Sequence, residues 1–295
     1  MRVAILGCGY VGLELGRQLT EAGHEAVGVR RSEAGIAAIE DAGFDAVQAD
    51  VTDPDSLSAV PDVDAVVFAA SSGGGDAEQA RAVYVDGLRT VVDHFGGRES
   101  VPDRLLYTSS TGVHGDHDGD WVDSTTPVEP ATPKAAVLAE AERVALDAPQ
   151  TDGMDGTVAR LAGLYGPDRY RLSRYLDGPV TEGYLNLLHR DDAAGAIRWL
   201  LTADACRRQV VQLVDDEPVS KWEFADWLAD QCGRDPPPKR TTAERLADDD
   251  LSERARRRLL TSKRCANDRL VTTGYEFTYP TYRDGYRAAI ESRLS

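Results

Sequence analysis

A short apolar stretch, Arg2 to Leu6, runs directly into Gly7-Cys8-Gly9-Tyr10-Val11-Gly12, and from Val11 to Ala22 apolar residues recur at helical spacing until Gly23. Strand, glycine-rich turn and helix in immediate succession open a unit that alternates strand with helix. The alternation continues through Glu25 to Val29 and Glu33 to Ala42, Ala46 to Gln48 and Asp55 to Val60, and Ala65 to Ala69 followed by a helix from about Asp76 to Phe95. Leu105 to Thr108 supplies a fifth strand. Strands joined by crossover helices lie parallel with helices on both faces, so the expected class is α/β, a Rossmann-type doubly wound parallel sheet.

Past this run the pattern changes. Residues 112 to 131 are rich in Gly, Asp, Thr and Pro and read as a long loop, which in a compact domain usually has work to do. Pro133 opens a helix through about Leu146, Thr157 to Leu161 is a further strand, and Val210 to Val214 one more. Helices are predicted over Ser220 to Cys232 and about Thr242 to Leu260, flanking the stiff Pro236-Pro237-Pro238 connector. The expected division is a nucleotide-binding domain over 1–165, its sheet completed by about 185–215, and a substrate lobe with C-terminal helices over 166–295. No repeat or low-complexity tract is present.

Composition narrows the setting. A formal charge of −17 with lysine only at positions 134, 221, 239 and 263 reads as a surface adapted to concentrated salt, where screening lets carboxylates crowd. That field argues against nucleic acid or an anionic membrane as partner. No apolar run approaches the roughly 20 residues that span a bilayer, and the apolar start is too short for a signal peptide, so a cytoplasmic protein is expected. Cys8, Cys206, Cys232 and Cys265 lack the spacing of a zinc site or a disulfide framework and are read as reduced thiols; no metal is predicted.

The glycines suit a dinucleotide. Without Cβ atoms the chain turns tightly and lets a pyrophosphate reach the open amides of the following helix, with Gly7, Gly9, Tyr10, Val11 and Gly12 around it. At the end of the second strand an acid would bond the ribose of NAD, whereas arginine suits the extra phosphate of NADP. Here stand Arg30 and Arg31, so NADP is expected, with NAD the alternative. Asp50 and Val51 end the third strand, and Ala69, Ala70 and Ser71 the fourth, where small residues let a cofactor pass.

Taken with these, Ala49-Asp50-Val51-Thr52-Asp53, Thr108 through Gly115, Arg160 through Pro167, Asn186 through Asp192 and Thr273 through Pro280 resemble the extended short-chain dehydrogenase/reductases, the NAD-dependent epimerase/dehydratase family. The resemblance covers nearly the whole chain. It implies that Ser110 hydrogen-bonds the reacting hydroxyl or carbonyl, and that Thr108, Leu161, Ala162 and Leu164 lie along the cofactor. The family's proton donor is a tyrosine four residues before a lysine, and residues 130–140 hold no such pair; Lys134 is the only proton-transfer candidate on that helix. Asp86 stands where the family usually has asparagine. His114 stands where relatives commonly have tyrosine and is either a proton shuttle or a loop residue filling space. These departures resemble an atypical subgroup of the same family. Asp191 or Asp192 is expected to cap the helix after His189, and Trp222 and Trp227 to pack.

Two functions follow as expectations. One is an oxidoreductase or epimerase/dehydratase acting on a sugar-like or nucleotide-sugar alcohol or ketone, with Ser110 polarising the oxygen and Lys134, His114 or water moving the proton. The other is a catalytically silent NADP-binding sensor or structural protein. Arg169, Arg171 and Arg174 suggest an anionic ligand or, equally, surface ion pairs. A homodimer through the helices 76–95 and 133–146 is the expected assembly, although burial within the monomer explains their apolar faces as well.

Overall fold

In a computed structural model that describes residues 1–74, 76–147, 150 and 153–294, the short apolar runs align side by side. β1 (Arg2–Leu6), β2 (Glu25–Arg30), β3 (Asp45–Gln48), β4 (Ala65–Phe68), β5 (Arg104–Ser110), β6 (Asp155–Leu161) and β7 (Val210–Leu213) form one sheet in the order β7-β6-β5-β4-β1-β2-β3. Every pairing is parallel. The chain winds outward from β1 in both directions, so the switch point lies between β1 and β4, where open α/β sheets bind ligands.

Both faces of the sheet are covered, which is why the central stretches Val3–Leu6 and Ala65–Phe68 are apolar at successive positions rather than alternately. Val3, Ile5, Val67 and Leu106 pack on one side against Leu15 and Leu19 of helix Tyr10–Glu21 and Ile197 and Leu200 of helix Arg190–Thr202. Ala4, Leu6, Val66, Phe68 and Tyr107 face the other way, onto Leu88, Val91 and Phe95 of helix Gly87–Gly96 and Ala141 and Val144 of helix Pro133–Asp147. Leu15 is fully buried, so truncating it to alanine would cost about 2–5 kcal/mol. The helical stretch after β4 is interrupted: Ala77–Arg81 passes through a π-turn at Ala82–Asp86 before Gly87–Gly96.

The second lobe has its own core, in which Tyr165, Tyr175, Phe224, Leu228, Tyr282 and Tyr286 pack together. Trp227 packs edge-on against Tyr282, and Trp222 Nε1 donates to the Val180 carbonyl at 2.9 Å. Two short pairings brace the lobe, Val180–Thr181 with Lys239–Arg240 and Tyr184–Leu185 with Val219–Ser220.

Three local expectations change. The helix predicted over 242–260 is two helices, Thr242–Leu246 and Glu253–Leu259, because Thr241 and Ser252 each cap a start and Arg240 and Arg245 both draw in Asp248 between them. The loop 112–131 is tied down: Trp121–Val122 pairs with Arg264–Cys265 near the other end of the chain. His189, not an aspartate, caps helix Arg190–Thr202, its Nδ1 accepting from the Asp191 amide at 3.2 Å. Asp192 instead accepts from the amides of Thr278 and Tyr279, both at 2.8 Å, and holds that C-terminal segment against the start of the helix. Among the described residues no helix is long and apolar enough to cross a membrane.

Candidate active site

The glycine loop is built by a close crossing. Gly7 leaves β1 with φ of +84°, and a Cβ there would collide with the backbone of Ala70 at the exit of β4. At Gly12 a Cβ would stand 3.0 Å from Ile5 Cγ2, so the third glycine seats the helix on the sheet. Helix Tyr10–Glu21 begins at Gly9 with no side-chain cap and no acid in its first turn. Its first amides and the positive end of its dipole are thus left for an anion. Cys8 is buried in this loop, and burial pushes its thiol up to about 12 against the pull of Arg30, which makes it a packing residue. Val11 is buried beneath the loop, while the Tyr10 hydroxyl donates to the Pro167 carbonyl at 2.9 Å. The Arg169 guanidinium lies 3.9 Å from the Tyr10 ring centroid and that of Arg190 lies 5.5 Å away, so two cations flank the loop.

At the tip of β2, Arg30 donates to the Cys8 carbonyl at 3.2 Å, and Arg31 reaches Asp50 at 3.3 Å. Burial works to raise the Asp50 carboxyl, but the Thr52 amide and hydroxyl and Arg31 outweigh it and hold the group below its ordinary value. Val51 is buried, Ala69 and Ala70 are half-buried, and Ser71 is exposed. These residues all sit at the carboxyl ends of β1 to β4. A glycine-rich loop, an uncapped helix end and adjacent arginines fit the phosphates of a nicotinamide dinucleotide.

A cavity of about 1340 Å³ lies between the sheet and the second lobe. Ser110, Lys134, Ala162 and Leu164 line one side, and Arg171, Arg174 and Lys221 line the other. The Ser110 oxygen accepts from the Gly112 amide at 3.1 Å, which fixes its direction while leaving its proton to give. Lys134 Nζ donates to Ser72 Oγ and to the Gly73 carbonyl, each at 3.1 Å. Thr108, half-buried behind Ser110, donates to the Phe68 carbonyl at 3.2 Å, and Leu161 ends β6 beside it.

Two candidates stand elsewhere. Asp86 is exposed on the outer surface of the π-turn, and its carbonyl accepts from the Thr90 hydroxyl. His114 is fully buried below the cavity floor, 3.2 Å from both Arg160 and Gln212 through Nε2. Burial first, then the charges of Arg160, Lys263 and His117, bring its imidazole down to about 4. It is neutral at physiological pH and belongs to an interior network.

That network contains residues the sequence reading passed over. Glu142 pairs with Arg160 at 2.7 Å and accepts from the Ser109 hydroxyl at 2.6 Å, with both members of the ion pair about 5% exposed. The available signal was Arg160 itself: a guanidinium inside an otherwise apolar strand needs a buried partner. Lys263, 7% exposed, donates to the Gly115 carbonyl at 2.9 Å and lines the cavity; burial lowers its ammonium below the ordinary lysine value.

Comparison with known proteins adds to this geometry. The model of the NAD dependent epimerase/dehydratase family matches residues 3–209. Protein YeeZ of Escherichia coli K12 is 35% identical over 213 residues, which cover 68% of this chain and 73% of YeeZ. Among solved structures, a functionally unknown conserved protein from Silicibacter pomeroyi is similar over 100% of this chain and 99% of its own, with 27% identity and a TM-score of 0.78. The human epimerase family protein SDR39U1, solved with NADPH, shares the fold at a TM-score of 0.75 and 17% identity, covering 99% of both chains.

Proposed function

Because the chain belongs to the NAD dependent epimerase/dehydratase family, we propose that it is an NADP-dependent oxidoreductase or epimerase/dehydratase-like enzyme acting on the alcohol or ketone of an anionic, sugar-like substrate of the nucleotide-sugar class. One observation carries the reading: Ser110 and Lys134 share the wall of a single large cavity whose opposite wall is cationic. A polar, proton-bearing wall facing a cationic one suits a substrate with a reactive oxygen at one end and a phosphate at the other. Arg30 and Arg31, with no acid at the tip of β2, support NADP over NAD.

Gly7, Gly9 and the open amides of helix Tyr10–Glu21 would hold the pyrophosphate, and a bound nicotinamide dinucleotide would supply hydride exchange. Ser110 would donate to the substrate oxygen and stabilise its developing charge, and Lys134 would carry the proton. Arg171, Arg174 and Lys221 would hold the substrate's anionic end.

The test is titration of the purified protein with NADPH and NADH, followed by a screen of ketoses and nucleotide sugars for cofactor turnover. Tighter binding of NADPH and turnover on a nucleotide sugar are expected. Binding without turnover on any substrate would favour a silent NADP-binding protein, and failure to bind either dinucleotide would overturn the reading.

A further inference from the structure

Helix Pro133–Asp147 carries a lysine at its start but no tyrosine beside it. A tyrosine approaches from the neighbouring helical stretch. Tyr84 lies in the π-turn Ala82–Asp86, and Lys134 Nζ is 5.7 Å from its ring centroid. The Tyr84 oxygen accepts from the Ser72 amide at 3.3 Å, and the same Ser72 accepts at its hydroxyl from Lys134 at 3.1 Å. Arg81 clamps the two helices with a two-pronged bond to Glu140, 2.7 Å on each arm. A π-turn weakens regular helix hydrogen bonding, and such turns recur where a side chain must be aimed. Here the side chain so aimed is a phenol, 8% exposed, set among hydroxyls and a cation.

The geometry points to a split tyrosine–lysine pair, in which Tyr84 is the proton reservoir of the cavity and delivers through Ser72 to Lys134, the group that meets the substrate. Lys134 lines the cavity and Tyr84 does not, so Tyr84 acts through its neighbours. As a substrate oxygen takes a proton from the Lys134 ammonium, one N–H bond breaks and the amine takes the Ser72 hydroxyl proton. Ser72 in turn takes the phenol proton of Tyr84. The electron pair left on Tyr84 then faces a restored ammonium, and oxidation of an alcohol runs the chain backward. No oxidant is consumed in this relay.

The electrostatics agree. Burial works to raise the Tyr84 phenol, but hydrogen bonds from Ser72 and Ser71 and the charge of Lys134 outweigh it and hold the group below the ordinary tyrosine value. Lys134 is the charge that acts on it, and Tyr107, packed alongside in β5, is a second phenol that feels its charge. Tyr107 is fully buried and pushed well upward by burial, so it does not titrate in the same range.

The inference rests on the proposed enzyme function for its purpose, but its test does not need turnover. The full chain is titrated from neutral to alkaline pH while phenolate absorbance is followed. One of the eleven tyrosines is expected to ionise ahead of the others, to vanish in Tyr84→Phe, and to move up in Lys134→Met. If Tyr84→Phe fails to fold, the Lys134→Met shift decides alone. Superimposable titrations of wild type and a folded Tyr84→Phe, or no shift in Lys134→Met, would overturn the pair whether or not the protein turns over substrate. An early tyrosine in a protein that turns over nothing would instead leave the pair standing and remove the enzyme reading. Where turnover is found, Tyr84→Phe is expected to lower kcat by up to about 10² and flatten one limb of its pH profile, with KM little changed.

Discussion

The guanidinium of Arg30 donates to the carbonyl oxygen of Cys8 at 3.2 Å, so the residue that ends β2 is pinned across the loop that leaves β1. The same NH1 would stand 3.0 Å from a Cβ on Gly9, which places the charge at the mouth of the glycine loop rather than out in solvent. Arg30→Ala and Arg31→Ala are each expected to weaken NADPH binding by about ten- to a hundredfold, in keeping with about 1.5–3 kcal/mol for a charged hydrogen bond, while NADH binding changes little. Fluorescence titration with both cofactors checks this, and an equal loss for the two would mean that the arginines shape the loop instead of reading the phosphate.

Ser110 is held by the Gly112 amide with its proton free to point into the cavity. Ser110→Ala is therefore expected to lower kcat by about 10² with little change in cofactor affinity or melting temperature. Steady-state kinetics alongside NADPH titration measures both, and unchanged kcat would remove Ser110 from the chemistry.

Glu142 and Arg160 form a buried pair behind β5, about 5% exposed on each side. Removing one member strands the other's charge, so Glu142→Gln is expected to cost about 3–5 kcal/mol of stability, whereas Glu142→Leu with Arg160→Met together should cost far less. Urea unfolding of the two variants decides it. Comparable losses in both would show that the pair's packing matters more than its charge.

His114 gives the stability a definite slope in acid. Its folded value of about 4 lies below the ordinary 6.5, so between those limits the unfolded chain binds the extra proton. The contribution is whole above pH 6.5 and is lost as pH falls toward 4, reaching at most about 3 kcal/mol. His189, also brought down to about 4 by burial, slopes the same way, while the raised carboxyls of Asp192 and Asp215 slope oppositely. The informative quantity is the difference: His114→Gln should lose less stability than wild type between pH 6.5 and 4 in urea unfolding. Parallel curves would show that His114 takes up its proton alike in the folded and the unfolded chain.

What could be read from the sequence was local. The strands β1 to β5 and the glycine loop are each encoded within some ten consecutive residues, so periodicity and turn chemistry were enough to find them. Arg30 stands at the tip of one such run, whereas Ser110 and Lys134 were picked out as candidates by resemblance to a family pattern rather than by periodicity. Glu142 and Arg160 meet from a helix and a strand, and Tyr84 reaches Lys134 across 50 positions by way of a π-turn that leaves no compositional mark. The split at residues 247–252 was hidden for a different reason: charged residues there satisfy helical spacing as well as they satisfy Arg240 and Arg245.

Lys263 holds the Gly115 carbonyl, and Arg264–Cys265 pairs as a second strand alongside Trp121–Val122. On the ribosome, where the chain emerges from its N-terminus, the cofactor loop and five strands of the sheet are made while this support is still unsynthesised. The nascent protein would therefore gain the means to grip a dinucleotide long before it has a finished cavity in which to use one.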